Sequence, residues 1–127
     1  MKHIVEYIDP ELLRELQLER LREVSRRVYE HVTYYQNAFK ESGGTPDDIQ
    51  SLDDLQNLPL TDKETLRVNY PFDMFVLPMK NVKEIHASSG TTGRPTVVAY
   101  SDHDIQGSSQ SMEGTLRPGG GREGDTV

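Results

Sequence analysis

The residues best suited to chemistry lie together at Ser88-Ser89-Gly90-Thr91-Thr92-Gly93-Arg94-Pro95. Hydroxyls, glycines, a guanidinium and a proline packed this closely suit the gripping of a polyphosphate. Glycine admits backbone conformations closed to other residues and lets N–H groups approach a ligand. Hydroxyls donate hydrogen bonds to phosphate oxygens, Arg94 can reach two oxygens at once, and Pro95 restricts where the loop bends. The same composition also occurs in surface loops and flexible linkers, so these residues alone leave both readings open.

Two better-known phosphate loops are excluded. The Walker A pattern needs a Gly-Lys-Ser or Gly-Lys-Thr, and neither occurs. The dinucleotide fingerprint needs G-x-G-x-x-G opening a helix, whereas here the spacing differs and a strand follows. His86 lies beside the loop and could touch a phosphate, but an ordinary hydrogen bond from a strand histidine explains it more simply. Ser88 and His86 with an aspartate make a poor triad, since Ser88 sits in no nucleophile elbow. His3, His31 and His103 have no metal-ligand spacing. The acid pairs Asp47-Asp48 and Asp53-Asp54 read as caps of solvated turns.

The elements that must position the loop are short. Val82-Lys83-Glu84-Ile85-His86-Ala87 alternates apolar and polar residues as a half-buried strand does. Thr96-Val97-Val98-Ala99-Tyr100 is β-branched and forms the returning strand. Upstream, Asp9-Pro10-Glu11 is a helix start. Leu13, Leu16, Leu21, Val24, Val28, Val32 and Tyr35 then recur near a 3.6-residue period, giving an amphipathic helix re-aimed near Thr33. Tyr34, Tyr35 and Phe39 read as core or interface contacts, and Arg26-Arg27 as a solvated face. A second helix stops at Gly43-Gly44, so residues 9–44 form a helical segment. Thr45-Pro46-Asp47-Asp48 and Ser51-Leu52-Asp53-Asp54-Leu55 each predict a capped turn. Thr61-Asp62-Lys63-Glu64 predicts a capping box for a helix that cannot pass Tyr70-Pro71. Residues 70–81 read as loop anchored by Phe72, Met74, Phe75, Val76 and Leu77.

Beyond the second strand, Ser101-Asp102-His103-Asp104 caps a helix with Ile105, Met112 and Leu116 on one face. Gly107 and Gly114 each weaken it by about 1 kcal/mol relative to alanine, and Pro118 curtails it. Gly124-Asp125-Thr126-Val127 look like the entry to a further strand. The fold class expected is α+β: N-terminal helices, then a β-hairpin over residues 82–100 bearing the loop.

Composition sets wider bounds. The chain has 127 residues, 34% apolar, with no Trp and no Cys. A mean hydropathy of -0.68 is lean for a self-sufficient globule. The absence of cysteine excludes a disulfide scaffold, a thiolate zinc site and a cysteine nucleophile. A net charge of -7 argues against nucleic acid or an anionic membrane as partner. No apolar run approaches the roughly 20 residues that cross a bilayer, and no secretory signal opens the chain, so a cytoplasmic protein is expected.

The stretch His86-Ala87-Ser88-Ser89-Gly90-Thr91-Thr92-Gly93-Arg94-Pro95-Thr96-Val97-Val98 resembles the phosphate-loop signature of phenylacetate–CoA ligases, within the adenylate-forming superfamily. Arg26-Arg27-Val28-Tyr29-Glu30-His31-Val32 with Tyr34-Tyr35 resembles that family's N-terminal helix. Asp53-Asp54-Leu55-Gln56-Asn57-Leu58-Pro59, Asn69-Tyr70-Pro71-Phe72 and Gly124-Asp125 resemble further landmarks in the same order. The resemblance implies that residues 1–127 are the N-terminal portion of a larger α/β adenylate-forming domain. It implies an enzyme that joins an aryl acid such as phenylacetate to ATP, giving an acyl-adenylate and diphosphate, and then passes the acyl group to coenzyme A. Mg²⁺ would accompany the ATP. Ser88, Ser89, Gly90, Thr91, Thr92, Gly93, Arg94 and Pro95 would hold the phosphates, while no catalytic residue and no metal ligand falls within the chain. Family members are far longer, so the resemblance implies that the chain alone, without adenine, acid or CoA contacts, is inactive; residues 106–121 depart from the family's longer apolar helix, which bears on whether that helix packs natively. Two other readings stay open: a non-catalytic relic or helical interaction module, and a related ligase adenylating a different acid. Unpaired strand edges predict aggregation or a homodimer.

Overall fold

The computed structural model describes residues 9–89 and 93–122, so the expected entry strand at Gly124–Val127 lies outside the described residues. Asp9 opens the first helix as expected, its carboxylate accepting the Glu11 N–H at 2.8 Å with Pro10 in the first turn. Helix α1 spans Pro10–His31; Val32 then turns extended (φ -120°, ψ 110°), and α2 begins at once, spanning Thr33–Ser42. Gly43 takes φ 75°, a conformation that favours glycine, and the Gly43 and Gly44 N–H groups close the helix on the Lys40 and Phe39 carbonyls at 3.1 Å.

Two short 3₁₀-helices follow, Pro46–Asp48 of one turn and Leu52–Asn57 of two. The Asp48 carboxylate accepts the Thr45 N–H at 2.7 Å, and the Asp54 carboxylate accepts the Ser51 N–H at 2.8 Å, so these acids are caps as expected. The next helix, α3 (Lys63–Val68), is capped one residue later than the sequence predicts. Asp62, not Thr61, is its N-cap, its carboxylate accepting both the N–H and the hydroxyl of Thr65 at 2.7 Å. The negative charge on the Asp62 carboxylate strengthens both bonds beyond what a neutral hydroxyl offers, and Thr61 pairs instead with the Tyr35 hydroxyl at 2.6 Å. Residues 70–81 are turns, with a 3₁₀ turn at Met79–Asn81.

The buried centre is small. Among the described residues, Val32, Phe39 and Ile49 are the buried apolar residues with Pro46, and Tyr29 meets the Phe39 ring edge-on at 5.6 Å. The single buried residue of α1 is Ser25, because the face that packs on Pro46–Ile49 runs through Arg22, Ser25 and Tyr29. Arg22 clamps that contact, its Nε donating to the Ile49 carbonyl at 2.7 Å and its terminal amine to Gln50 at 3.2 Å. Arg26, on the solvated face as expected, pairs with Asp47 at 2.8 Å. Of the apolar stripe anticipated from Leu13 to Tyr35, Val32 joins this centre, Leu13, Leu16, Leu21, Val28 and Tyr35 are half-buried, and Val24 is left 41% exposed.

Strands β1 (Glu84–Ala87) and β2 (Val97–Tyr100) pair antiparallel, with Glu84 opposite Tyr100 and Ala87 opposite Val97. The hairpin is therefore as expected, but its burial is not. Every residue of β1 is exposed, including Ile85, because no second layer lies on it among the described residues. Helix α4 (Asp102–Leu116) runs unbroken through Gly107 and Gly114, opened by the Ser101 hydroxyl accepting the Asp104 N–H at 3.2 Å. It buries no residue, and Met112 and Leu116 face solvent. Hydroxyls of Ser109, Ser111 and Thr115 turn back onto carbonyls one turn earlier at 3.0 Å. The architecture is α+β: helices, hairpin, helix. No helix among the described residues is long and apolar enough to cross a membrane.

Two outcomes follow from this packing. Phe39→Ala removes the largest side chain of the buried centre and is expected to cost about 3 kcal/mol, read as a lower urea midpoint; an unchanged midpoint would contradict the core described. Asp54, Asp62 and Asp104 are held below the usual carboxylate range, the first two chiefly by backbone N–H donors from Ser51 and Thr65 and the third chiefly by the Ser101 hydroxyl. Their stabilisation is complete above the unfolded Asp value of about 3.9 and drains as pH falls through the lower folded values. Helical circular dichroism should accordingly hold steady from neutrality to that point and fall below it, and less steeply in an Asp62→Asn variant.

Candidate functional site

The candidate loop leaves β1 after Ala87 and rejoins β2 at Val97. Its neck is closed by two bonds between the same residues. The Ser88 N–H donates to the Thr96 carbonyl at 3.0 Å, and the Thr96 N–H donates to the Ser88 hydroxyl oxygen, also at 3.0 Å. The first extends the ladder by one rung and the second locks it. Because Ser88 Oγ accepts, its own hydrogen remains to donate toward whatever occupies the loop.

Within the neck, Ser89, Gly93 and Arg94 are exposed and Pro95 is half-buried, while Gly90, Thr91 and Thr92 lie outside the described residues. Gly93 has φ 136°, which side-chain-bearing residues rarely adopt, and a Cβ there would meet nothing within 4 Å. The need for glycine is thus conformational rather than steric. Arg94 makes no ion pair with another described residue, so its guanidinium faces solvent beside the loop.

Strand alternation places Glu84, His86 and Ser88 on one face and Ile85 and Ala87 on the other. His86 Nε2 lies 3.1 Å from Glu84 Oε2, and its ring meets Tyr100 edge-on at 5.0 Å. This is the ordinary hydrogen bond expected of a strand histidine. Lys83 reaches Asp102 at 3.7 Å, tying the hairpin base to α4. Among the described residues no group of three or more His, Cys, Asp or Glu side chains could hold a metal ion. The spacing of hydroxyls marked the loop in the sequence, but not the clasp, because Thr96 contributes through its backbone. Arg22 was missed for a similar reason: its partners are carbonyls, which leave no trace in side-chain patterns.

No family model matches the chain. Curated relatives do. Phenylacetate-coenzyme A ligase of Aromatoleum evansii is 48% identical over 123 residues, covering 97% of this chain and 28% of that protein. The enzyme of the same name from Pseudomonas putida is 47% identical over 115 residues, covering 91% of this chain and 26% of that protein. By sequence, the chain belongs to the phenylacetate–CoA ligase family.

A Thermus thermophilus phenylacetate-coenzyme A ligase is 41% identical over 120 residues, so the similarity reaches across distant bacteria. The chain spans about a quarter of the length of each of these relatives. Its fold matches part of 2-hydroxyisobutyryl-CoA ligase, solved with 2-HIB-AMP and CoA in the thioesterification state. That match has a TM-score of 0.74 and 28% identity, and covers 82% of this chain and 23% of the other. The helices and hairpin are therefore a portion of the acid–CoA ligase fold.

The clasp is directly testable. Ser88→Ala should speed hydrogen exchange of the Thr96 amide roughly fivefold, as loss of one hydrogen bond of about 1 kcal/mol allows, while Ser88→Thr should restore protection. Equal exchange in all three chains would remove the clasp from the account.

Proposed function

We propose that this chain carries the triphosphate grip of an AMP-forming acid–CoA ligase acting on phenylacetate or a similar aryl acid. In that reaction the acid carboxylate attacks the α-phosphate of ATP, diphosphate leaves, and the acyl-adenylate then gives its acyl group to the CoA thiol with release of AMP. The loop of Ser88, Ser89, Gly90, Thr91, Thr92, Gly93, Arg94 and Pro95 holds the β- and γ-phosphates, and its donors offset charge on the departing diphosphate. Residues 1–127 then form the N-terminal portion of an adenylate-forming domain, with 9–44 its helical segment and 82–100 the strand–loop–strand. The observation that carries this reading is the ladder-anchored loop, with Gly93 at φ 136°, in a chain 48% identical to a phenylacetate-coenzyme A ligase.

The described residues offer no carboxylate cluster for Mg²⁺. Magnesium would enter as the counter-ion that ATP brings. The chain supplies a phosphate grip but no residue for the acid or for CoA, and catalyses nothing alone. Which carboxylic acid is activated is decided by parts of the enzyme outside the matched quarter, so adenylation of another acid rests on the same loop.

The test is a chimera in which this chain replaces the matched segment of the Pseudomonas putida enzyme. It should release diphosphate on addition of ATP, phenylacetate and CoA, whereas the isolated chain should not. Gly93→Val forces a disfavoured conformation costing about 1–3 kcal/mol, enough to raise the KM for ATP tenfold or more while the KM for CoA holds. An unaltered KM for ATP would detach the loop from the triphosphate. Turnover by the isolated chain would refute its dependence on the rest of the enzyme.

A further inference from the structure

The hairpin face that carries Ser88 also carries an ion pair, and that pair has a direction. Strand alternation sets Glu84, His86 and Ser88 along one face, with His86 Nε2 3.1 Å from Glu84 Oε2. At a rise of roughly 3.3 Å per residue, His86 stands about 7 Å from the Ser88–Thr96 clasp and Glu84 about 13 Å. The histidine is therefore the end of the pair nearer the loop. Its side chain is 60% exposed and that of Glu84 53%, so each can carry its charge in contact with water. The other charged or titratable groups of the surrounding elements, among the described residues, are few. Tyr100 on β2 meets the imidazole edge-on at 5.0 Å, Lys83 at the hairpin base is held by Asp102 of α4 at 3.7 Å, and Arg94 lies in the loop.

The geometry points to His86 as a second, pH-dependent cation for the phosphate loop, acting through its charge on the triphosphate rather than by contact. This rests on the reading of the loop as a triphosphate grip and adds what sets the strength of that grip. Histidine is the side chain whose charge changes between about pH 5 and 8. With the imidazole neutral, the face presents the Glu84 carboxylate, whose negative charge opposes an incoming triphosphate. With the imidazole protonated, the pair sums to zero and its positive end lies toward the loop. Screening in physiological salt acts over about 8 Å, so the nearer charge is still felt and the farther one is largely lost. One charge at about 7 Å from a group of phosphate charges then alters ATP affinity roughly threefold. The imidazolium favours the bound triphosphate, and the bound triphosphate equally favours the imidazolium. ATP therefore binds more tightly as pH falls through the histidine range, with uptake of a proton, and the gain is lost as pH rises.

The experiment measures ATP binding to the ligase chimera by titration calorimetry at about pH 8 and about pH 6, either side of the histidine range, in two buffers of different ionisation enthalpy. The His86→Gln chimera keeps a donor for Glu84 but cannot become charged, so it records the titration of the nucleotide and of every other group. Relative to that reference, wild-type affinity should gain roughly threefold on acidification, with additional proton uptake. His86→Lys, positive at both pH values, should bind tightly at both. A purely structural role for the ring would weaken binding equally at the two pH values. Parallel wild-type and His86→Gln profiles, or a His86→Lys profile that follows His86→Gln, overturn the proposal. Unchanged exchange of the Thr96 amide shows that the hairpin persists in both variants. Gly93→Val separates the two readings: weaker ATP binding there alongside parallel profiles removes His86 and leaves the grip, whereas ATP binding untouched by Gly93→Val removes the grip and this inference with it.

Discussion

The reciprocal bonding of Ser88 and Thr96 is the constraint on which the candidate site depends. A loop holds a multiply charged ligand only if its ends cannot drift, because every backbone donor must be aimed before the ligand arrives. Two bonds at 3.0 Å between one pair of residues fix the neck more firmly than the ladder alone would. The flanking strands then need only four residues each. Glycine at 93 continues the same logic, since it turns the chain back toward β2 by a conformation with no side-chain cost.

The remainder of the chain economises on apolar burial. Val32, Phe39 and Ile49 seal the meeting of α1, α2 and the turn at Pro46–Asp48, and polar ties hold the rest. Arg22 on the Ile49 and Gln50 carbonyls is one of these, and its charge makes each bond stronger than a neutral pair would be. Carboxylate caps at Asp48, Asp54, Asp62 and Asp104 secure each short element locally. Such elements keep their shape without a thick core, and so present a wide apolar surface outward. The matched portion corresponds to 23% of a solved acid–CoA ligase.

Legibility in the sequence followed the range of the forces involved. Asp9-Pro10, the break near Thr33, the stop at Gly43 and the cap at Ser101 act within a few residues, and each was readable from neighbours alone. The N-cap at Asp62 rather than Thr61 was misplaced by one position because both residues accept hydrogen bonds, and only Tyr35, from a distant helix, decides between them. The burial of Ser25 beside Val32 of the anticipated stripe was illegible, since it depends on which face meets Pro46–Ile49. Likewise β1 has the alternation of a half-buried strand but lacks its covering layer here. The loop itself was legible by residue type, and its family by the order of the surrounding landmarks.

The most direct test of the account is nuclear magnetic resonance of the ligase chimera, with backbone amides of Ser88, Ser89, Gly93 and Arg94 observed during titration. ATP and inorganic diphosphate should both displace these resonances, and AMP should leave them in place, because the loop holds the phosphates that AMP lacks. Equal displacement by AMP, or none by diphosphate, would contradict the claim that this hairpin exists to hold the far end of a nucleoside triphosphate.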